Sequence, residues 1–287
     1  MPVSIGGLPL QGIDANGAVW EEPDINWWSA PAPRMSTGKK PRNHGVWVGD
    51  SFLETRTVTI EGRIVALTRT AALAAVDRLH AAIGYQDVTL IMSDAGREQS
   101  ATVRRSDETI VTWESALIAR WSVQCLAADP RKFNAQMSGS TGLPHAEGGL
   151  TIGMPDPQSG SRLGLIPFVI RSQIDTGQVS LTNTGTTAGK VTLRVDGPVT
   201  NPAITHQGGG KTETFALGLS IGEGEYILAD MDTHTVYAQG QSSATRNRWI
   251  TRRGWHAFEP GLNTWTFSAS NDNRQARLTV TALPASI

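Results

Sequence analysis

Short runs of alternating apolar residues, cut at close intervals by turn residues, are the feature that most limits what this chain can fold into. In residues 55–65, Val58 and Ile60 alternate with threonines and a glutamate, as in a strand with one buried face. The chain has 30 Gly and 15 Pro among 287 residues, and only 18% of its residues are charged. A helical bundle would need far more Glu, Lys, Leu and Ala. The pattern predicts a mainly β protein, and the length allows two domains.

One stretch departs from this pattern and predicts an α-helix from Thr68 to about Ile83. Thr68 is a suitable N-cap, and Leu73, Val76, Leu79 and Ile83 form one apolar stripe. Four strands are predicted after it, at 88–92, 101–105, 109–113 and 117–126. These elements predict a first domain that ends near residue 133.

Residues 1–49 are predicted to be irregular, because Gly and Pro interrupt every period. Trp27, Trp28 and Trp47 nevertheless lie among them, and a disordered arm would be poor in aromatic residues. These side chains must bury their area against something, either the same domain or a neighbouring subunit.

The second half of the chain is predicted to begin after a linker or long loop at 134–162, which is rich in Gly, Pro, Ser and Thr. Short strand candidates then recur with Gly, Asn and Pro between them. They are 164–170, 178–182, 190–195, 203–206, 213–217, 225–228, 235–238, 264–269 and 276–282. This spacing is typical of a β-sandwich or jelly roll.

Charge and cysteine content exclude several classes of protein. The chain has 25 basic and 26 acidic residues, so nothing attracts it as a whole to nucleic acid or to an anionic membrane. The single cysteine, Cys125, cannot form an intramolecular disulfide or a thiolate metal cage. No apolar run approaches the roughly 18 residues of a membrane helix, and no secretory signal is present. We expect synthesis in a reducing cytoplasm.

One motif suggests a hydrolase. Residues 49–51, Gly-Asp-Ser, resemble the nucleophile block of GDS-type esterases, whose serine opens a helix. Ser51 instead lies in a predicted loop that leads directly into the strand at 55–65. The only Asp-x-x-His spacing, Asp77 to His80, lies on the predicted helix. We therefore predict no catalytic residue.

Two further motifs lie in the second half. Asp230, Asp232 and His234 would share one face of an extended strand and could ligate a cation, although such Asp-rich pieces are commonly turns, so we predict no metal site. A basic and aromatic patch is a candidate surface for a glycan or a protein partner. Its members are Arg248, Trp249, Arg252 and Trp255.

The order of the elements carries a family resemblance. The strand 55–62, the single helix and the strand that ends at 127–131, Ala-Ala-Asp-Pro-Arg, occur in that order. The second half adds 191–204, with Gly197 and Asn201-Pro202, and the turn 258–263, Phe-Glu-Pro-Gly-Leu-Asn. Together these segments resemble the distal tail protein of long-tailed bacteriophages.

The resemblance implies a two-domain β architecture. Residues 1–133 would form an N-terminal β-sandwich with one α-helix, and residues 163–287 a C-terminal galectin-like or jelly-roll β-sandwich. It also implies a structural virion protein rather than an enzyme, with no cofactor. Six copies would form a ring at the distal end of the tail, between the tail tube protein and the tail-tip or tail-associated proteins. The tape measure protein is a further partner, DNA passes through the channel, and no membrane insertion is expected.

A closed ring uses a heterologous interface, so each subunit must present two different surfaces. The candidates are the predicted arm and the helix with its flanking strands. The arm residues proposed for this contact are Trp27, Trp28, Arg34 and Trp47. A carbohydrate-binding module and, more weakly, a GDS-type esterase remain as alternatives.

Overall fold

The computed structural model describes residues 1–145, 175–239, 241, 244–271 and 274–287. Within them the chain is mainly β, with a single α-helix. It divides into two compact units, Met1–Ala135 with Ala285–Ile287, and Gln136–Pro284. These findings confirm the predicted fold class.

The first unit contains one helix and thirteen strands among the described residues. The helix is α1 (Arg69–Ala82). The strands are β1 (Val3–Ile5), β2 (Leu8–Pro9), β3 (Gly12–Ile13), β4 (Val19–Trp20), β5 (Asp24–Ile25), β6 (Pro33–Lys39), β7 (Val46–Leu53), β8 (Arg56–Val65), β9 (Val88–Asp94), β10 (Arg97–Arg105), β11 (Ile110–Ser115), β12 (Ile118–Ala127) and β13 (Lys132–Asn134).

Two sheets enclose the core of the first unit. One runs β2-β1-β9-β10-β13, and the other runs β11-β12-β8-β4-β3, with β5 also paired to β8. The two sheets meet where the end of β10 pairs with β12. The alternation in β8 buries Val58, Ile60 and Ile64. These side chains pack with buried rings that include Trp20 and Trp121, so apolar burial holds the two sheets together.

The helix matches its prediction at both ends. The Thr68 side chain accepts a hydrogen bond from the Ala71 N–H at 3.2 Å and so caps the first turn. The face toward the core includes Ala72 and Leu79, both fully buried. Leu73 was expected on the apolar stripe but is 45% exposed, because small alanines form much of the buried face.

The prediction that residues 1–49 are irregular is wrong. Strands β1 to β5 belong to the two sheets, and Leu10 is fully buried. The alternation of apolar and polar residues is not recognisable in this region, because tight turns separate very short strands. Gly6 and Gly7 have φ values of +56° and +82° and reverse the chain between β1 and β2, a conformation that favours glycine.

The second unit contains twelve strands and a short 3-10 helix, Asn247–Trp249, among the described residues. The strands are β14 (Met137–Gly142), β15 (Gln178–Asn183), β16 (Thr187–Asp196), β17 (Val199–Thr200), β18 (Ala203–Gly208), β19 (Lys211–Leu217), β20 (Ser220–Ile221), β21 (Tyr226–Asp230), β22 (Thr235–Ala238), β23 (Ile250–Arg253), β24 (Gly261–Ser268) and β25 (Arg277–Ser286, whose last two residues belong to the first unit).

Two five-stranded layers form the predicted second sandwich. One is β14-β25-β16-β21-β22, the other is β15-β24-β18-β19-β23, and β17 pairs with β20. Their shared core contains the fully buried rings of Phe215, Phe258, Trp265 and Phe267. Alternate residues of β24 supply two of these rings, which is the burial pattern that the sequence predicts for this strand.

The turn before β24 is held by one buried side chain. Gly261 takes a φ of +90°, and the Asn263 amide nitrogen donates to the Glu259 carbonyl at 2.7 Å and to the Gly261 carbonyl at 2.9 Å. The Asn263 side-chain oxygen accepts from the Glu259 N–H at 3.1 Å. The Pro-Gly-x-Asn sequence is therefore a hydrogen-bonded turn.

Two predictions fall wholly or partly outside the described residues. These are the strand at 164–170 and the part of the linker from 146 to 162. The described part of that linker is not a linker, because β14 pairs with β25 along six residues. Within the described part of the chain, no helix is both long enough and apolar enough to cross a membrane.

Candidate assembly surfaces

Strands β6 and β7 form a hairpin that pairs with no other described strand. Its register places Arg34 opposite Phe52 and Met35 opposite Ser51. The N–H of Glu54 donates to the carbonyl of Ala32 at 2.8 Å and closes its base. Every residue of both strands is exposed.

Apolar side chains cover much of this hairpin, hereafter the exposed hairpin (Pro33–Leu53). Four of them have more than half of their surface accessible, namely Met35 at 53%, Trp47 at 66%, Val48 at 63% and Phe52 at 59%. An isolated two-stranded hairpin is marginally stable in water, and large apolar side chains left exposed on both of its faces are typical of an interaction site. The exposed hairpin is therefore the main candidate for a contact with another chain.

Three of the four predicted interface residues lie at the surface. Trp28 is 51% exposed, Trp47 lies on the exposed hairpin, and the Arg34 Nε is 3.7 Å from a carboxylate oxygen of Glu54. The prediction for Trp27 is wrong. Its ring is fully buried in the first unit, and its Nε1–H points to the side-chain oxygen of Gln99 at 3.3 Å, so it has no surface to offer a partner.

Three further exposed apolar side chains lie on α1 or just beyond its ends. Leu67 and Tyr85 flank the helix and are 87% and 84% exposed, and Leu73 lies between them in sequence on the helix itself. The guanidinium of Arg105 lies 5.2 Å from the centre of the Tyr85 ring. These three side chains (Leu67, Leu73 and Tyr85), hereafter the helix surface, are exposed apolar residues on α1 or just beyond its ends, and none of them belongs to the exposed hairpin.

The basic and aromatic patch predicted in the second unit is divided between different depressions. Trp249 is 42% exposed and lines a cleft of about 550 Å³ with Tyr226 and Arg246. Trp255 is partly buried and packs against Phe215, with 5.0 Å between ring centres. It lines two smaller depressions, of about 260 and 190 Å³. The exposed Arg248 guanidinium lies 5.2 Å from the Trp249 ring centre, and Arg252 is an exposed residue of β23.

The Asp230, Asp232 and His234 string does not lie along a strand. The Asp230 carboxylate accepts from the N–H groups of Asp232 at 2.9 Å and Thr233 at 3.2 Å, which makes a turn between β21 and β22. His234 takes a φ of +56°, so the expectation that the three side chains share one face of an extended strand is wrong. Across the described ranges, no group of three or more His, Cys, Asp or Glu side chains is placed to hold a metal.

The esterase motif lies on the exposed hairpin. Ser51 is in β7 rather than in a loop before a strand, and no helix follows it. Asp77 and His80 lie on α1. Cys125 is buried in β12, and burial raises the pKa of its thiol to about 11.

A pair of buried histidines in the second unit was not predicted from the sequence. The His206 and His256 rings are stacked, with 4.2 Å between centres and 10° between planes. The His256 Nδ1 donates to the Gly254 carbonyl at 2.9 Å, so its Nε2 accepts from the Trp265 indole N–H at 2.8 Å. The His206 Nε2 donates to the Asn263 side-chain oxygen at 2.9 Å.

These hydrogen bonds suit neutral rings. Burial, followed by repulsion from His206, lowers the pKa of His256 to about 4, and burial also lowers the pKa of His206. The pair ties β18 to the turn before β24 through Asn263. Its hydrogen bonds are made within the second unit, so we assign it a structural part in the sandwich.

No protein-family model and no curated protein matches the sequence. Solved structures do match. The crystal structure of the SPP1 Dit protein, described as a paradigm of the hub adsorption apparatus in phages that infect Gram-positive bacteria, aligns with a TM-score of 0.64. The alignment covers 100% of this chain and 99% of that chain at 11% identity. This chain has the SPP1 Dit fold.

The phage P2 baseplate in its activated conformation contains a second, more distant match. With calcium the TM-score is 0.48 at 12% identity, covering 87% of this chain and 86% of that one. With strontium the TM-score is 0.49 at 10% identity, covering 92% and 90%. At these identities the likeness concerns the fold.

Proposed function

We propose that the protein is a structural, non-enzymatic hub of a phage tail, and that six copies form a ring at its distal end. The observation that carries the proposal is the exposed hairpin, with Trp47, Val48 and Phe52 uncovered in a chain of the SPP1 Dit fold. A single chain gains nothing from holding these side chains in water, whereas burying them against a neighbour is favourable at roughly 25 cal/mol per Å².

The two surfaces of the first unit suit a closed ring. A ring of identical subunits joins one surface to a different one on the next copy. We propose that the exposed hairpin, with Arg34 and Trp47, packs on the helix surface of a neighbour, and that Trp28 lies at the edge of the contact.

We propose the tail tube protein on one face of the ring, and tail-tip or tail-associated proteins with the tape measure protein on the other. DNA would pass through the central channel. A formal net charge of −1 supports transit, because binding of phosphates requires an excess of exposed cations. The protein would be made in the bacterial cytoplasm and reside in the virion.

Electron microscopy of the purified full chain at micromolar concentration tests this proposal. We expect ring-shaped particles with six-fold symmetry and a central opening. Single compact particles at every concentration, with no rings, would contradict it.

Binding of a glycan by the second unit is a second candidate function. It is favoured by the 550 Å³ cleft, where the exposed Trp249 ring lies beside Tyr226 and Arg246. A glycan array probed with the full chain should then give saturable binding that is lost in Trp249→Ala and retained in Trp28→Ala. Equal signals from the two variants would reject the cleft as the glycan site.

A further inference from the structure

Three cationic side chains in the first unit lie together without an acidic partner among the described residues. Arg56 begins β8, Arg97 begins β10 and Lys132 begins β13; Arg56 and Lys132 are each only 3% exposed. The Arg56 Nε donates to the Pro130 carbonyl at 2.9 Å, and its Nη1 donates to the Ser29 carbonyl. Its Nη2 is buried and has no hydrogen-bond partner in the part of the chain that the structure describes.

Arg56, Arg97 and Lys132 are hereafter the cationic cluster. Lys132 is its second buried cation without a charge partner among the described residues. Its ammonium lies 5.9 Å from the ring centre of Trp27 and 5.5 Å from that of Trp28. Burial, then repulsion from Arg56 and from Arg97, lowers the pKa of Lys132 to about 8. No described carboxylate opposes these effects.

Such an arrangement is unfavourable in a single chain. Buried cations are almost always paired, because removing a charge from water costs several kcal/mol unless an opposite charge replaces the lost hydration. Arg97 differs from these two cations, because it is an exposed residue that water can solvate, and its Nη2 donates to the neutral Ser286 hydroxyl at 2.9 Å. The half-exposed Trp28 ring lies beside Lys132, so an exposed side chain adjoins the cluster.

We propose that the cationic cluster is a binding site for a carboxylate, the side chain of an Asp or Glu from a second copy of this chain. A carboxylate can accept from a guanidinium and an ammonium at once, which supplies the unpartnered Nη2 of Arg56 and the charge of Lys132. The proposal rests on the proposed ring, which brings a second copy against the first unit.

Observations on the chain favour this source of the carboxylate. Asp24, Asp50 and Asp77 are exposed and form no ion pair with the described residues, so a second copy has acidic groups to offer. Asp50 lies on the exposed hairpin itself. A nucleic acid is a poorer occupant, because a row of phosphates is bound by exposed cations rather than by two buried ones.

The pH dependence of self-assembly tests the site. Filling it requires charged Lys132, and a carboxylate would return the Lys132 pKa toward its usual value of about 10.4. Assembly above pH 8 then takes up a proton, so the association constant per interface should fall roughly tenfold for each pH unit between pH 8 and 10. Sedimentation velocity across a concentration series at pH 7, 8, 9 and 9.5 measures it.

Two variants distinguish a pH effect that acts through the cationic cluster from general effects of pH on the protein. Lys132→Met removes the buried charge and keeps much of the side-chain volume, so the single chain should gain thermal stability while self-association weakens at least tenfold at pH 7 and loses its dependence on pH. The matched control is Lys211→Met, because Lys211 is 68% exposed and 3.8 Å from Glu259 in the second unit. It should assemble as the wild type does.

The outcomes distinguish this site from the proposed function. If the wild type forms rings whose stability is the same at pH 7 and 9.5, or if Lys132→Met assembles like the wild type, the site is rejected and the ring stands. If the wild type stays a single chain at every concentration, the ring is rejected, and with it the second copy as the source of the carboxylate.

Discussion

Apolar side chains usually lie inside a protein and polar ones outside, and the two units depart from this arrangement in opposite ways. The first unit leaves Trp47, Val48 and Phe52 in water, whereas the second unit encloses His206 and His256 in its core. The buried histidines are hydrogen-bonded within their own unit, so they stabilise one fold. The exposed apolar side chains lie on a hairpin that pairs with no other described strand. This difference agrees with the proposal that a neighbouring copy covers the exposed hairpin of the first unit, whereas the buried histidines need no partner from another chain.

A large effect on stability is expected from breaking the polar network of the second unit. Asn263→Ala leaves the Glu259 N–H and carbonyl, the Gly261 carbonyl and the His206 Nε2–H without their partner. We expect a loss of about 4 kcal/mol in the free energy of unfolding, since a fully buried side chain loses four hydrogen bonds worth about 1 kcal/mol each. Urea unfolding followed by circular dichroism measures it.

Asn271→Ala is the matched control for that variant. Asn271 makes one hydrogen bond, accepting from the Thr200 N–H at 2.7 Å, so its loss should cost about 1 kcal/mol. Equal losses in the two variants would show that the buried network has no special part in the stability of the second unit.

Acidification should weaken the second unit through the same network. The folded state holds His256 neutral, with its pKa lowered to about 4, while the unfolded chain binds a proton near pH 6.5. The stabilisation is therefore complete above pH 6.5, declines as the pH falls, and is lost below about pH 4. It amounts to roughly 3 kcal/mol. The lowered pKa of His206 acts in the same direction.

His256→Gln tests this origin of the pH dependence. The Gln side chain keeps an acceptor oxygen for the Trp265 N–H and does not titrate, so the slope of unfolding free energy between pH 6.5 and 4 should flatten. Urea unfolding at half-unit pH steps gives the slope. If the unfolding free energy of the variant depended on pH as strongly as that of the wild type, groups other than His256 would be responsible.

The smallest effect on stability is expected where the side chain is exposed. Trp47→Ala on the exposed hairpin should change the free energy of unfolding of the single chain by less than about 0.5 kcal/mol. Trp121→Ala in the core, where the ring is 1% exposed, should cost about 3 to 5 kcal/mol.

For self-association, the effects of these two substitutions should have the reverse order. Trp47→Ala should weaken self-association strongly, because a large aromatic side chain is lost from the interface. Light scattering on both variants at a temperature where both are folded gives the comparison. Unchanged self-association in Trp47→Ala would remove this side chain from the interface.

Elements with a local signal were predictable from the sequence. Thr68 and the apolar residues through Ile83 define α1, and the alternation around Val58 and Ile60 defines β8, because capping and periodicity act within a few residues. Short strands such as β1 and β14 were missed, since their pairing with β9 and β25 depends on residues distant in sequence.

The candidate sites were less predictable, because burial is a property of the whole fold. Trp27 and Trp28 are adjacent in sequence, yet one is buried and the other half-exposed. The cationic cluster joins the first residues of three strands, and the sheets that bring Arg56 and Lys132 together leave no local pattern. The exposed hairpin has no clear alternation because both of its faces are exposed.

The central claim is that the exposed hairpin joins the subunits of a ring. Because the Glu54 N–H already bonds the Ala32 carbonyl, residues 34–52 can be replaced by a short Gly-Ser linker without opening the base of the hairpin. Sedimentation velocity should show six copies for the wild type and a folded single chain for the replacement. A replacement that still sediments as six copies, or a wild type that sediments as one, would contradict the account.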